Sequence, residues 1–116
     1  MFARLMGLQV ISPQSLQQLL QTGSVTIIDV NSRQSWIAAH IPGAISLDPL
    51  GFETADLPVD KNSVLVFYCS NFMCRKAPNA ARRAKSMGYR DVRVMSAGIT
   101  GWLNASLPTE PGNRHV

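Results

Sequence analysis

The chain has 116 residues, 46% hydrophobic and 16% charged, a balance that places it as one globular domain and excludes a disordered polyelectrolyte. Its net charge of +4 suits small anions, and without aromatic–basic interleaving or a recognised motif it argues against a nucleic-acid partner. Two cysteines are too few for a secreted disulfide framework, the isolated His40 and His115 give no zinc spacing, Met1 to Gly7 lacks a long apolar leader core, and no segment is apolar for long enough to span a bilayer, so a cytoplasmic protein with no membrane partner, metal or cofactor is expected.

In chain order, Leu8-Gln9-Val10-Ile11 reads as a short strand. Ser12-Pro13 supplies an N-cap and a first-turn proline for a helix whose apolar stripe is Leu16, Leu19 and Leu20 and whose stop is Gly23. Val25-Thr26-Ile27-Ile28-Asp29-Val30 is β-branched and continuous, as in a central strand buried on both faces. Ser32 caps a short helix carrying Trp36 and Ile37, broken by Ile41-Pro42-Gly43, and Ala44-Ile45-Ser46-Leu47 is a third short strand. Residues 48–62 read as irregular chain and Val64 to Tyr68 as the fourth strand. A helix is predicted from about Pro78 to Met87 with Gly88 as its stop, then a fifth strand Val92-Arg93-Val94-Met95, then a turn at Ala97-Gly98 into a final short helix through Trp102. Residues 108–116 read as a frayed tail. Strands alternating with helices predict an α/β domain over residues 1–116, with a mainly parallel sheet.

Cys69 follows the fourth strand directly and precedes a polar turn and a helix. Ligands of parallel sheets sit beyond the carboxyl ends of the strands. A thiol there meets backbone N–H groups and the positive end of a helix dipole, which lower its pKa from about 8.5 and favour a bound anion. The loop is Cys69-Ser70-Asn71-Phe72-Met73-Cys74-Arg75-Lys76. The guanidinium fork of Arg75 suits an oxyanion, with Lys76 beside it, and Asn71 suits a loop-closing turn. The favoured reading of Cys69 is a reactive thiol rather than a small buried hydrophobe. For Cys74 the favoured reading is packing in the loop; the alternative is a thiol that resolves an oxidised or persulfidated Cys69, which requires Cα atoms within ~7 Å. Arg75, Lys76, Arg82, Arg83, Lys85, Arg90 and Arg93 cluster after the cysteine, either as a solvated helix face or as a field drawing anions to the thiol. Asp29 and His40 are candidate supporting residues, with structural roles favoured for both. Trp36 and Trp102 read as packing, and Phe72 and Met73 as an apolar rim or a protein-docking surface.

Three blocks, in order, resemble a single-domain rhodanese. They are Ile27-Ile28-Asp29-Val30 with Trp36 and Ala39-His40-Ile41-Pro42-Gly43-Ala44, the strand leading into Cys69, and Val92 through Trp102 with its Gly98-Ile99-Thr100-Gly101-Trp102 close. The resemblance implies a three-layer fold with a central, mainly parallel five-stranded sheet flanked by helices. The chain departs from the family pattern at Asn31, where an arginine is common, and at Ala39 and Ala97, which replace glycines. Cys69 to Arg75 spans seven residues, the Cys-x5-Arg spacing of the phosphatase and arsenate-reductase branches, whereas typical sulfurtransferases carry six. Lys76-Ala77-Pro78 is not the usual continuation of those branches, and a Cys-x-Asn-x-x-Cys loop, matched by Cys69, Asn71 and Cys74, is similar to that of a subset of bacterial rhodanese-like domains.

The resemblance implies a thiosulfate sulfurtransferase with Cys69 as catalytic nucleophile, Ser70 to Lys76 as the anion loop, and neither metal nor organic cofactor. Its expected partners are a small anionic sulfur donor, a thiol or cyanide acceptor, and a protein of a sulfur relay. The alternatives are a phosphatase or arsenate reductase using Cys69 and Arg75, and a catalytically silent binding or regulatory domain on the same fold.

Overall fold

A computed structural model describes residues 2–112. The first element, helix α1 (Phe2–Leu5), is four residues long and carries no sequence periodicity. The rest follow as β1 (Gln9–Val10), α2 (Pro13–Thr22), β2 (Thr26–Asp29), α3 (Arg33–Ala38), β3 (Ile45–Ser46), β4 (Val64–Tyr68), α4 (Lys76–Ser86), β5 (Asp91–Val94) and α5 (Gly98–Asn104). A 3-10 turn, Thr54–Asp56, interrupts the segment expected to be irregular. The five strands form one sheet in the order β1-β5-β4-β2-β3, with every neighbouring pair parallel. β4 is therefore central, and its C-terminal end delivers Cys69 to the rim of the sheet.

Local chemistry sets the helix ends. The Ser12 hydroxyl accepts a hydrogen bond from the Ser15 N–H (3.1 Å), and Gly23, at φ 73°, closes α2 with its N–H on the Leu20 carbonyl. Ser32 caps α3 in the same way through the Ser35 N–H. α4 begins two residues earlier than predicted, at Lys76, which places Pro78 third in the helix. The first four N–H groups of a helix have no intrahelical partner, so a proline is tolerated there.

Strand alternation divides the core in two. On one face Leu65, Phe67 and Cys69 pack with Ile28, Val30, Val92 and Val94 beneath α4, whose Ala77, Ala80, Ala81 and Ala84 form a thin stripe at i, i+3, i+4 and i+7. On the other face Val66 and Tyr68 pack with Ile27, Ile41 and Met95 against Leu16 of α2 and Trp102 of α5. Cys69 thus shares its face of the sheet with α4, and Tyr68 points away from it.

Residues 108–112 do not fray. The Trp102 indole N–H donates to the Pro108 carbonyl (2.7 Å), His40 and Glu110 exchange both backbone hydrogen bonds (3.0 and 2.9 Å), and the Gly112 N–H donates to the Ile37 carbonyl (2.7 Å). These partners lie far back in the chain, where the sequence of the segment does not show them; residues 113–116, His115 among them, lie outside the described residues. Ending the chain after Leu107 removes these four bonds and is expected to cost about 2–5 kcal/mol, read as a drop in the urea midpoint. An unchanged midpoint would mean the segment only rests on the surface.

Candidate active site

The loop after β4 is organised by Asn71. Its side-chain oxygen accepts from the Met73 N–H (2.9 Å) and its carbonyl accepts from the Cys74 N–H (3.1 Å), an Asx turn continued into a second turn. This folds the chain back so that Cys74 lies over Cys69, with Cα atoms 6.4 Å apart and the two sulfurs joined in a disulfide. Cys74 is therefore more than loop packing, the reading favoured from sequence; the turn at Asn71 supplies the geometry that spacing alone leaves open. The Met73 and Cys74 amides are spent on Asn71, so they do not point to an anion held by the loop expected over Ser70 to Lys76.

The far side of the loop is clamped by α5. The Ile99 and Thr100 N–H groups donate to the Cys69 and Ser70 carbonyls (2.9 and 3.0 Å). Gly98, at φ 67°, makes this approach possible, because a Cβ there would meet the Ser70 carbonyl carbon at 2.5 Å and the Asn71 nitrogen at 2.6 Å. Gly101 has a related role, since a Cβ there would collide with the Ala97 side chain. The Ala97 that departs from the family pattern is thus accommodated by the glycine four residues on. Sequence reading marked this block as a signature without assigning it the task of holding the cysteine loop.

The two sulfurs differ in surroundings. Cys69 is 3% exposed and borders a small pocket that Cys74 and Ser96 also line. The Ser96 hydroxyl oxygen is buried without a hydrogen-bond partner among the described residues. Cys74 is partly buried and lines an open cleft of about 500 Å³ together with Ser70, Asn71, Met73, Arg75, Lys76 and Leu50. A neighbouring cleft of about 530 Å³ continues from Lys76 and Leu50 past Asn31, Arg33 and Asp48. The linings of the two clefts carry three cations, Arg33, Arg75 and Lys76, against one carboxylate, Asp48, a field that favours anions. Not all of the basic cluster contributes. Arg83 donates to the Phe52 carbonyl (2.9 and 3.2 Å), and Arg93 is paired with Asp91 (2.9 and 3.1 Å). Met73 (74% exposed) and Leu50 (83% exposed) form an apolar rim on the cleft side, whereas Phe72 faces a separate groove of about 930 Å³ along β1 and α2.

Asp29 and His40 are held away from the sulfurs. The buried Asp29 carboxylate accepts from the Tyr68 hydroxyl (2.6 Å) and the Asn31 N–H (2.8 Å). Burial pushes its pKa above the ordinary carboxylate value, and the hydrogen bonds from Tyr68 and Asn31 oppose that shift. His40 is buried and stacked on Trp36, with ring centroids 4.2 Å apart. Its Nδ1 donates to the Trp36 carbonyl (2.7 Å) and its Nε2 lies 3.1 Å from the Glu110 carboxylate, which also accepts from the Gly43 N–H. Its contacts thus hold the Ile41-Pro42-Gly43 turn and the C-terminal segment. Among the described residues no group of three or more His, Cys, Asp and Glu is placed to hold a metal, and no helix is long and apolar enough to cross a membrane.

Comparison with known proteins places this geometry. Residues 12–105 match the family model of the rhodanese-like domain. The chain is 36% identical over 94 residues to an HTH-type transcriptional regulator of Mycobacterium tuberculosis, covering 79% of this chain and 40% of that one. A Synechocystis protein, 30% identical over 99 residues, is covered to 54% against 85% of this chain, so the chain spans about half the length of these two relatives. Human thiosulfate:glutathione sulfurtransferase is 29% identical over 111 residues, with 84% of this chain and 95% of that one covered. Among solved structures, the BH2092 protein of Bacillus halodurans superposes with a TM-score of 0.81 at 21% identity, over 95% of this chain and 81% of that one.

Proposed function

The chain belongs to the rhodanese-like domain family, and on that premise we propose that it is a sulfurtransferase carrying sulfane sulfur from an anionic donor such as thiosulfate to a thiol or cyanide through a persulfide on Cys69. The observation that carries the reading is the position of Cys69 at the carboxyl end of the central strand, joined to Cys74 in the floor of a cleft edged by Arg75 and Lys76. Distant relatives that include a thiosulfate:glutathione sulfurtransferase support it.

Turnover begins from the reduced dithiol. The Cys69 thiolate attacks the outer sulfur of thiosulfate, the S–S bond of the donor breaks, and sulfite leaves with the bonding pair. Arg75 and Lys76 hold the dianion, and the N-terminus of α4, on the same face of the sheet, favours the thiolate. An acceptor thiolate or cyanide then attacks the outer sulfur of the persulfide and frees Cys69.

The test uses Cys74→Ser protein, so that Cys69 is the only thiol. After reduction and exposure to thiosulfate, its intact mass is expected to rise by one sulfur atom. The Cys69→Ser, Cys74→Ser double variant should gain none, and Cys69→Ser alone should lose about 10³-fold or more of the turnover. A double variant that still acquires sulfur would remove Cys69 from the reaction.

The paired sulfurs also favour a second reading, arsenate reduction. There the Cys69 thiolate displaces an arsenate oxygen as water, Cys74 attacks the Cys69 sulfur, the S–As bond breaks with its electron pair on arsenic, and arsenite leaves as the disulfide closes. Oxidation of the dithiol protein by arsenate but not by thiosulfate would select it. Aryl phosphate hydrolysis draws less support, because the Met73 and Cys74 amides are turned toward Asn71 rather than into an oxyanion cradle.

A further inference from the structure

We propose that Cys74 intercepts the Cys69 persulfide, so that without an outside acceptor the protein releases the sulfur as hydrogen sulfide, closes the Cys69–Cys74 disulfide, and is reopened by an anionic low-molecular-weight thiol attacking Cys74. This rests on the sulfurtransferase reading above and assigns a second activity to the same loop.

Three observations carry it. First, the Asn71 turn already sets the two cysteines 6.4 Å apart at Cα, inside the range a disulfide needs. Second, Cys74 stands between the buried sulfur and the solvent: it lines both the small pocket beside Cys69 and the open cleft. The outer sulfur of a persulfide that is to meet an acceptor in the cleft therefore passes Cys74, which brings the Cys74 thiolate against the inner sulfur. Third, the pair is asymmetric. Cys74 lines the open cleft with Arg75 and Lys76, while Cys69 is buried in a small pocket that Cys74 and Ser96 also line. An incoming thiol reaches Cys74 from the cleft, and the Cys69 thiolate that leaves stays in the buried pocket that Ser96 also lines. Carboxylates on the thiol would be drawn by the two cations at the mouth.

The chemistry balances. The persulfide anion takes a proton from water to become Cys69–S–SH. The Cys74 thiolate attacks the Cys69 Sγ, the bond to the outer sulfur breaks, and hydrosulfide leaves with the electron pair; the outer sulfur is reduced and the two cysteines are oxidised to the disulfide. One external thiolate then forms a mixed disulfide on Cys74 and expels the Cys69 thiolate. A second external thiolate attacks the sulfur of that bound thiol, giving the external disulfide and restoring the Cys74 thiolate.

The experiment compares reduced wild type, Cys74→Ser and Cys74→Ala after exposure to thiosulfate with no acceptor, reading intact mass and released sulfide. Wild type is expected to end two hydrogens lighter than the dithiol, with one sulfide per chain. Both Cys74 variants should hold the extra sulfur and release less than a tenth as much sulfide. If wild type holds the persulfide as the variants do, with no disulfide and no sulfide, Cys74 is not the resolving thiol and the transfer reading survives. If no protein gains sulfur and wild type stays a dithiol, the transfer reading itself fails and this inference with it. For the reopening step, oxidised wild type is treated with glutathione, quenched by acid and mapped by peptide mass. The mixed disulfide is expected on Cys74, and finding it on Cys69 would overturn the assigned direction of attack.

Discussion

Gly98→Ala is expected to destabilise the domain by about 3 kcal/mol, whereas Gly23→Ala, the same methyl group at a similar φ, costs about 1 kcal/mol. Both glycines are left-handed, at φ 67° and 73°, so both substitutions carry the penalty an L-residue meets there. They differ in what the methyl group meets. At position 23 nothing lies within 4 Å, but at position 98 the new carbon falls 2.5–2.6 Å from backbone atoms of Ser70 and Asn71. Backbone cannot step aside as a flexible side chain can, so α5 must lift from the loop. The Ile99 and Thr100 bonds to the Cys69 and Ser70 carbonyls then lengthen, and the cysteine pair loses its clamp. Urea denaturation of the two variants gives the comparison, and thiosulfate-driven modification of Cys69 should slow in Gly98→Ala alone. Equal costs at the two positions would mean that the close approach of α5 is not what holds the loop.

This contrast also shows how far the fold and site were legible in the sequence. The order of strands and helices was readable because β2 and β4 are rich in β-branched and apolar residues and α2 and α4 are followed by glycine stops; β4 matches its predicted bounds, Val64 to Tyr68. Cys69 was legible for the same reason, since a cysteine directly after a central strand can only emerge at the sheet's rim. What the sequence left open depends on how the chain folds back on itself. The pairing of Cys69 with Cys74 needs the Asn71 turn, and spacing alone leaves the Cα distance undetermined. The ordered segment at 108–112 needs His40, seventy residues away. The division of the basic cluster between the cleft and other partners depends on where Phe52 and Asp91 lie relative to Arg83 and Arg93. α1 is too short to show a period, and Pro78 hid the true start of α4 because a proline is equally at home one or three residues into a helix.

Tyr68→Phe should cost about 2–4 kcal/mol at neutral pH although it deletes a single oxygen atom. Tyr68 is fully buried, and its hydroxyl is the middle of a chain: it accepts from the Ile41 N–H (3.1 Å) and donates to Asp29 Oδ2 (2.6 Å). Removing it strands a buried amide and strips one donor from a carboxylate that is 1% exposed. Burial, then the adjacent Asp29, drives the Tyr68 pKa far upward, so the hydroxyl remains a donor at every accessible pH. The acid dependence follows from Asp29. Its folded-state pKa lies above the unfolded value because burial penalises the charge, so its contribution to stability is fully present below the unfolded pKa and is lost as pH rises through the folded one. Losing the Tyr68 donor raises the folded pKa further and widens that window upward. The deficit of Tyr68→Phe relative to wild type should therefore shrink as the pH falls through the window and Asp29 becomes protonated. Urea unfolding of both proteins across the acid range measures this. A deficit independent of pH would show that the stranded Ile41 amide, not the Asp29 charge, dominates the cost.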